Sequence, residues 1–102
     1  MAARGDDVVI ASAKMKYKED EVDIYLFSPK LAFPDSDQYS CAFSIKGGPI
    51  EYSGKSIGFD SMQSLILSLK KIGTFLEKSD ELDKSLIKWE GGPMDFPVFE
   101  NL

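Results

Sequence analysis

The chain has 102 residues, of which 43% are hydrophobic and 28% charged, and its formal net charge is −5. These values predict one domain over residues 1–102 with a single core. They disfavour nucleic acid as a partner, because affinity for nucleic acid comes mainly from basic groups on phosphates. No apolar run approaches the ~20 residues that cross a bilayer, and Val8–Ala11 is too short for the apolar region of a signal peptide. We therefore expect no membrane partner.

Four segments ahead of residue 60 have the composition of β-strands: Val8–Met15, Val22–Ser28, Tyr39–Lys46 and Ile50–Phe59. The last two are joined by Gly47-Gly48-Pro49, which is typical of a tight hairpin. Short connections between successive strands favour an antiparallel meander. In the second strand Val22, Ile24 and Leu26 alternate with Asp23, Tyr25 and Phe27, and either set is a candidate for the core.

Asp60–Lys78 is the one segment with a clear helical period. Its predicted buried stripe consists of Met62, Leu65, Ile66, Leu69, Ile72, Gly73 and Leu76. Asp60 is a candidate N-cap with Gln63 as its capping-box partner, and Gly73 in the stripe predicts close approach of the helix to a sheet. The predicted fold is therefore α+β: a four-stranded antiparallel meander with one long amphipathic helix packed on one face. A C-terminal segment or a short extra strand around Leu86–Trp89 follows the helix.

The sequence offers little for catalysis or metal binding. There is no histidine, which removes the usual general base and the commonest zinc ligand. The single Cys41 alternates with core residues, so we interpret it as a buried thiol in a reducing compartment and expect a cytoplasmic protein. Asp35-Ser36-Asp37 begins like a calcium loop, but Ser40 and Lys46 occupy the positions that require Gly and Glu. We expect no catalytic residue, no cofactor and no metal ion.

Acidic and aromatic side chains are the candidates for partner binding. Aromatic anchors inside a polar rim are typical of protein interfaces, and acidic groups would speed association with a basic partner. The residues predicted to bind a partner are Asp23, Tyr25, Phe27, Asp35, Asp37, Glu77, Asp80, Glu81 and Asp83. The acids among them are alternatively a solvated surface that keeps the protein soluble. Phe27 and Tyr25 are alternatively part of the core.

Several motifs recur in one family of short proteins. They are an "IASA" strand (Ile10–Ala13), a C-x-F-x-I-x-G strand (from Cys41), a G-x-D-S-x-Q-x-L helix start (from Gly58), an L-x-x-I-G-x-x-L helix body (from Leu69) and a W-x-G-G…F-P terminus (from Trp89). On these motifs the chain resembles a family of short bacterial proteins classed as a domain of unknown function. That family is in turn similar to the immunity proteins encoded beside secreted bacterial toxins. The resemblance implies the fold and supplies no functional residues.

We therefore expect a non-catalytic binding protein, most plausibly an immunity protein that neutralises a toxin by covering its active or binding surface. A secretion-type chaperone or adaptor that binds an effector segment is the alternative. A hydrolase that uses Asp35 and Asp37 is the third hypothesis. The expected partner is a toxin or effector domain, and the sequence leaves monomer and homodimer both open.

Overall fold

The computed structural model describes residues 8–92 and 94–100. Its elements in chain order are β1 (Val9–Tyr17), β2 (Asp20–Phe27), β3 (Lys30–Leu31), β4 (Tyr39–Gly47), β5 (Ile50–Gly58), α1 (Ser61–Lys78), a 3-10 helix (Lys84–Leu86) and β6 (Ile87–Trp89). Among these residues no helix is both long enough and apolar enough to span a membrane.

The six strands form one antiparallel sheet, and the predicted α+β class is confirmed. The predicted meander is its centre, because β1, β2, β4 and β5 are neighbours in that order. The prediction had four strands in the meander and left a short extra strand open after the helix, whereas the described residues form six strands. β5 pairs along the whole of β4, so the two-residue β3 lies on the same side of β4 as β2. The other added strand, β6, pairs with the outer edge of β1 at Met15–Tyr17.

One face of the sheet carries the core. The structure decides the open choice in the second strand: Val22, Ile24 and Leu26 are buried, while Tyr25 is 37% exposed. The first strand runs two residues beyond its predicted end at Met15, because Tyr17 is part of the core. The second strand starts two residues before its predicted start at Val22, so the turn between them is only Lys18-Glu19. The core residues are Met15, Tyr17, Val22, Ile24, Leu26, Cys41, Phe43, Ile45, Ile50, Ile72 and Leu76.

The helix packs on β4 and β5 with a face that differs from the predicted stripe. Met62 and Ile66 were predicted to be buried and are 65% and 42% exposed, whereas Ser64 and Ser68 are fully buried. The reason is the short distance between helix and sheet: a Cβ on Gly58 would lie 2.7 Å from the backbone nitrogen of Ser64. Only small side chains fit in that space, so the first half of the helix turns Ser64 and Ser68 inward and Met62 and Ile66 outward.

The two buried serines of the helix satisfy their hydroxyl groups. Ser68 Oγ donates to the backbone oxygen of Cys41 at 2.5 Å, and Ser64 Oγ donates to the backbone oxygen of Ser61 at 2.9 Å. Towards the other end of the helix the contacts become aromatic. The ring of Tyr52 stacks on that of Phe75 with a centroid distance of 4.3 Å and also contacts Phe43 at 5.5 Å. The helix is thus held by hydrogen bonds at one end and by apolar packing at the other.

The start of the helix agrees with its prediction. Asp60 is the N-cap, and its Oδ1 accepts a hydrogen bond from Gln63 N at 2.7 Å. The Gln63 side chain reaches back one residue further than a capping box requires, because its Oε1 accepts from Phe59 N at 2.7 Å. Two orphan backbone N–H groups are satisfied in this way, so a local sequence pattern defines where the helix begins.

Gly73 allows a close approach, although the prediction that the sheet makes it was wrong. A Cβ at Gly73 would lie 2.1 Å from the backbone oxygen of Pro97 and 2.8 Å from Phe96 Cβ. From there the chain crosses the helix, where Phe99 N donates to Thr74 Oγ1 at 2.9 Å and Lys78 Nζ donates to Phe99 O at 2.6 Å. We call residues 96–99 the C-terminal strap. Glycine is needed because the strap backbone occupies the space of a side chain.

The open face of the sheet as a candidate binding surface

The side of the sheet turned away from the helix is called the open face. Strand alternation assigns it every second residue, and the core residues on the same strands point the other way. The C-terminal strap and the helix both lie on the core side, as the contacts of Phe96 with Trp89 and of Pro97 with Gly73 establish. On the four long strands the open face consists of Val9, Ser12, Lys14, Lys16, Glu21, Asp23, Tyr25, Phe27, Ser40, Ala42, Ser44, Lys46, Glu51, Ser53, Lys55 and Ile57.

Half of the open face, near the β1–β2 hairpin, is a ladder of balanced charges. The strand register aligns Lys14, Asp23, Lys46 and Glu51 in one row across four strands, with alternating sign. Opposite charges on neighbouring strands stabilise a sheet modestly. The Lys46–Glu51 pair has an N–O distance of 3.8 Å with both side chains more than 60% exposed, so it contributes at most about 1 kcal/mol. This row has a structural explanation and needs no ligand.

The other half of the open face has one charged residue on the four long strands, Lys55. The next row across the sheet is Ser12, Tyr25, Ser44 and Ser53. Beyond it, Phe27 lies beside Ala42, whose partner on β5 is Lys55. Val9 and Ile57 extend this region and are 46% and 41% exposed. We call this region the platform. It combines small floor residues with exposed apolar and aromatic groups.

A groove of about 330 Å³ opens on the platform. Its floor is made of three small residues, Ala42, Ser44 and Ser53, of which Ser44 and Ser53 are opposite each other on β4 and β5. Phe27 and the longer side chains around the floor form the walls. The charged residues among these walls are Lys30, Lys46, Glu51 and Lys55. A groove of this size accepts a side chain or two of another molecule.

The predicted partner-binding residues lie in three separate places. Asp23 belongs to the charge ladder, while Tyr25 and Phe27 are on the platform. The second group, Asp35 and Asp37, is exposed in the loop before β4. That loop is at the end of the sheet where α1 starts, because Tyr39 at the start of β4 pairs with Gly58.

The acids after the helix are at the opposite end of the molecule, beside the β1–β2 hairpin. Asp83 N donates to Tyr17 Oη at 3.0 Å, and Tyr17 is the last residue of β1. The carboxylates of the 35–37 loop and of the 77–83 region therefore do not form one continuous surface. Two of them also have local roles: Glu77 pairs with Lys84 at 3.0 Å, and Asp83 caps the 3-10 helix.

The Asp83 carboxylate acts in that cap. Its Oδ1 accepts from the Ser85 hydroxyl at 2.6 Å and from Ser85 N at 3.0 Å. These two hydrogen bonds, that of the side chain first, lower the pKa of Asp83 below its usual range. Asp80 and Glu81 are exposed neighbours of this cap.

The single cysteine of the chain lies in the core. The Cys41 thiol is buried and donates to the backbone oxygen of Phe27 at 3.2 Å. Burial raises the pKa of the Cys41 thiol, which keeps it protonated and a poor nucleophile. Across residues 8–92 and 94–100, no three side chains of the His, Cys, Asp or Glu type are grouped so that they could hold a metal ion.

The sequence prediction missed most of the platform. Val9, Ala42, Ser44, Ser53 and Lys55 were not singled out, although they occupy alternate positions on predicted strands. Alternation reveals which residues share a face of one strand. The groove depends on the register between strands, which is set by hydrogen-bonded pairing and is not visible in one strand alone.

Comparison with known proteins identifies one family. The chain matches, over residues 11–98, a family described as "Domain of unknown function (DUF6968)". No curated protein and no solved structure matches the chain. The match covers every strand of the meander, the helix and most of the C-terminal strap.

Proposed function

The chain belongs to the family described as Domain of unknown function (DUF6968), and we propose that it is a non-catalytic module that binds a protein partner on its platform. The observation that carries this proposal is the composition of the open face. Tyr25, Phe27, Val9 and Ile57 are grouped there on the side that bears no part of the described core. Exposed apolar residues that share one region of a surface, rather than being scattered singly, often mark an interaction site.

The platform has the composition of a protein interface. Interface centres are depleted in charge and enriched in aromatic residues, with a polar rim around them. Tyr25 and Phe27 are aromatic anchors, the serines of the floor offer hydroxyl groups, and the charge ladder borders the region as a rim. Tyrosine is also among the residues that most often dominate binding energy. The platform therefore supports recognition of a folded surface.

The specific role that we propose is immunity. A protein of this kind would bind a toxin domain on the platform and cover its active or binding surface, as the resemblance to immunity proteins suggests. The mechanism is steric, so it requires no catalytic group. The exposed acids at the two ends of the molecule, among them Asp35, Asp37, Asp80 and Glu81, would add long-range steering towards a basic region of the toxin.

Co-expression tests this proposal. The protein is expressed with the C-terminal domain of a secreted toxin encoded beside it, and cell growth and co-elution of the two proteins are measured. We expect growth to be restored and a complex to form. Tyr25→Ala should weaken the complex about 30-fold, the cost of one interface anchor worth about 2 kcal/mol.

Phe59→Ser is the matched control, because Phe59 is an aromatic residue that is 77% exposed outside the platform. It should leave the affinity unchanged. The proposal of immunity is rejected if the wild-type protein forms no complex with the toxin domain. A complex that tolerates Tyr25→Ala and is lost with Phe59→Ser would move the binding surface away from the platform.

A second function is favoured by a different surface. Phe59, Met62 and Ile66 form an exposed apolar row at the start of the helix, with exposed fractions of 77%, 65% and 42%. A secretion-type chaperone would use such a row to hold an unfolded effector segment. A chaperone should bind an unfolded fragment of its effector and lose it when Met62 and Ile66 are replaced by serine. An immunity protein should bind only the folded domain and tolerate both changes.

A further inference from the structure

The groove on the platform is basic, although the protein as a whole is acidic. Three lysines and one glutamate line it, whereas the complete chain has a net charge of −5. Glu51 is next to Lys46 at 3.8 Å and balances that lysine. The ammonium group of Lys55 is exposed and, within the described part of the chain, has no hydrogen-bonding or ionic partner. The charge of Lys55 is therefore available for an anion.

Hydroxyl groups on the groove floor add donors beside that charge. Ser44 and Ser53 are directly opposite each other on β4 and β5. Neither hydroxyl group makes a hydrogen bond with any of the residues that the structure describes. Lys55 follows Ser53 by two positions on the same face, so its ammonium group can reach the space above both hydroxyls. Hydroxyls and an ammonium group together suit a carboxylate, which accepts hydrogen bonds and donates none.

An aromatic wall borders this donor set. Phe27 lines the groove, and Tyr25 is two residues before it on the same face of β2. The position of Phe27 is well defined, because its backbone oxygen accepts the Cys41 thiol hydrogen bond at 3.2 Å. Lys55 is held in a similar way, since its backbone oxygen accepts from Lys71 Nζ at 2.9 Å. One side of the groove thus has hydrogen-bond donors that can bind an anion, and the other side has the faces of aromatic rings. The backbone at Phe27 and Lys55 is held in place by the hydrogen bonds just described.

From this arrangement we propose that the groove receives an acidic side chain of the protein partner, with an adjacent aromatic side chain packed against Phe27 and Tyr25. The inference rests on the proposed function, because it assumes that a protein binds the platform. It goes further by stating the chemistry of the contact. The partner is acidic at the platform, whatever attraction the acids elsewhere on this protein exert over longer range.

A peptide titration followed by ¹⁵N–¹H NMR tests the inference without the natural partner. The probes are acetyl-Glu-Phe-Glu-amide, its Gln-Phe-Gln counterpart and its Lys-Phe-Lys counterpart. We expect the acidic peptide alone to cause saturable shifts, at the amides of Ala42, Ser44 and Ser53. Lys55→Glu should weaken this binding at least about tenfold, and Lys55→Gln should weaken it less. The spectra also report whether each variant is folded.

Lys16→Glu is the control, because it makes the same change of charge on the open face but outside the groove. It should leave the affinity for the acidic peptide unchanged. The inference is overturned if the neutral or the basic peptide binds as tightly, if no shift saturates, or if Lys16→Glu weakens binding as much as Lys55→Glu. A failure of toxin binding in co-expression would reject immunity without altering these spectra, so the two proposals fail separately.

Discussion

The two faces of the sheet are built from the same strands and follow opposite rules. On the core side of β4, Phe43 and Ile45 are at most 2% exposed and pack under the helix. One residue along, Ser44 lies on the open face at the floor of a groove. The contrast shows that burial of apolar residues on one side of the sheet stabilises the folded state. The other side is free to carry small, aromatic and charged residues whose arrangement the fold does not require.

The largest expected effect comes from substituting two neighbouring residues of β4 that lie on opposite faces of the sheet. Phe43→Ala removes a buried ring from the core and should lower the free energy of unfolding by about 3–5 kcal/mol. Ser44→Ala, one residue away on the open face, should change it by less than about 0.5 kcal/mol. Urea denaturation measures both. Similar losses in the two variants would mean that the open face also contributes to the core.

A smaller effect is expected where the C-terminal strap crosses the helix. Gly73→Ala places a Cβ against the Pro97 backbone oxygen, so the strap must move. Overpacking costs about 1–3 kcal/mol, and alanine recovers about 1 kcal/mol of helix propensity, which leaves a net loss of about 1 kcal/mol. The Phe99 amide, bonded to Thr74 Oγ1, should exchange its hydrogen faster. Gly91→Ala is the control, because a Cβ at Gly91 would have no atom within 4 Å. If the Phe99 amide exchanged at an unchanged rate in Gly73→Ala, the expectation would be wrong.

The buried serines on the core side should respond with opposite signs. Ser68→Ala removes the hydrogen bond to the Cys41 backbone oxygen and should destabilise the protein by about 1 kcal/mol. The Ser56 hydroxyl is buried without a hydrogen-bond partner. Ser56→Ala should therefore stabilise the protein by up to about 1 kcal/mol, because a buried hydroxyl that is unsatisfied opposes folding. Thermal unfolding of the two variants provides the comparison, and equal signs would refute it.

The smallest effect is a pH dependence that comes from Cys41. Burial raises its pKa in the folded state above the ordinary value of 9.0. The unfolded chain therefore releases this proton first, and the free energy of unfolding should decrease as the pH rises above about 9. Below that pH the thiol is protonated in both states and contributes no slope. Urea denaturation at pH 8 and pH 10 should show a decrease that is absent in Cys41→Ala. An equal decrease in that variant would assign the effect to other groups.

Local patterns predicted the parts of the fold that depend on neighbouring residues. Asp60 and Gln63 define the start of the helix through hydrogen bonds across three residues. The alternation in Tyr39–Lys46 identified Cys41, Phe43 and Ile45 as one face, and they are buried together. β3 was not predicted, and β6 was predicted only as one of two alternatives for Leu86–Trp89. Runs of two or three residues carry no usable period, and whether they form strands depends on the strand beside them.

The helix shows where such patterns fail. A hydrophobic stripe calculated from 100° per residue places Met62 and Ile66 inside and Ser64 and Ser68 outside, and the structure does the reverse. The stripe assumes that the helix faces a surface with room for large side chains. At Gly58 the backbone of α1 is too close to β5 for that. Interatomic distances between elements, which no single segment encodes, decided the rotation of the helix.

The sequence by itself determined the α+β class, the meander and the approximate helix boundaries, because these depend on composition and on short-range periodicity. Only the tertiary structure decided which side of β2 is buried, what approaches Gly73 and where the predicted acids lie relative to one another. It also brought Phe27, Ser44, Ser53 and Lys55 together from three strands. Strand register creates that neighbourhood, and register is settled by pairing between segments distant in the chain.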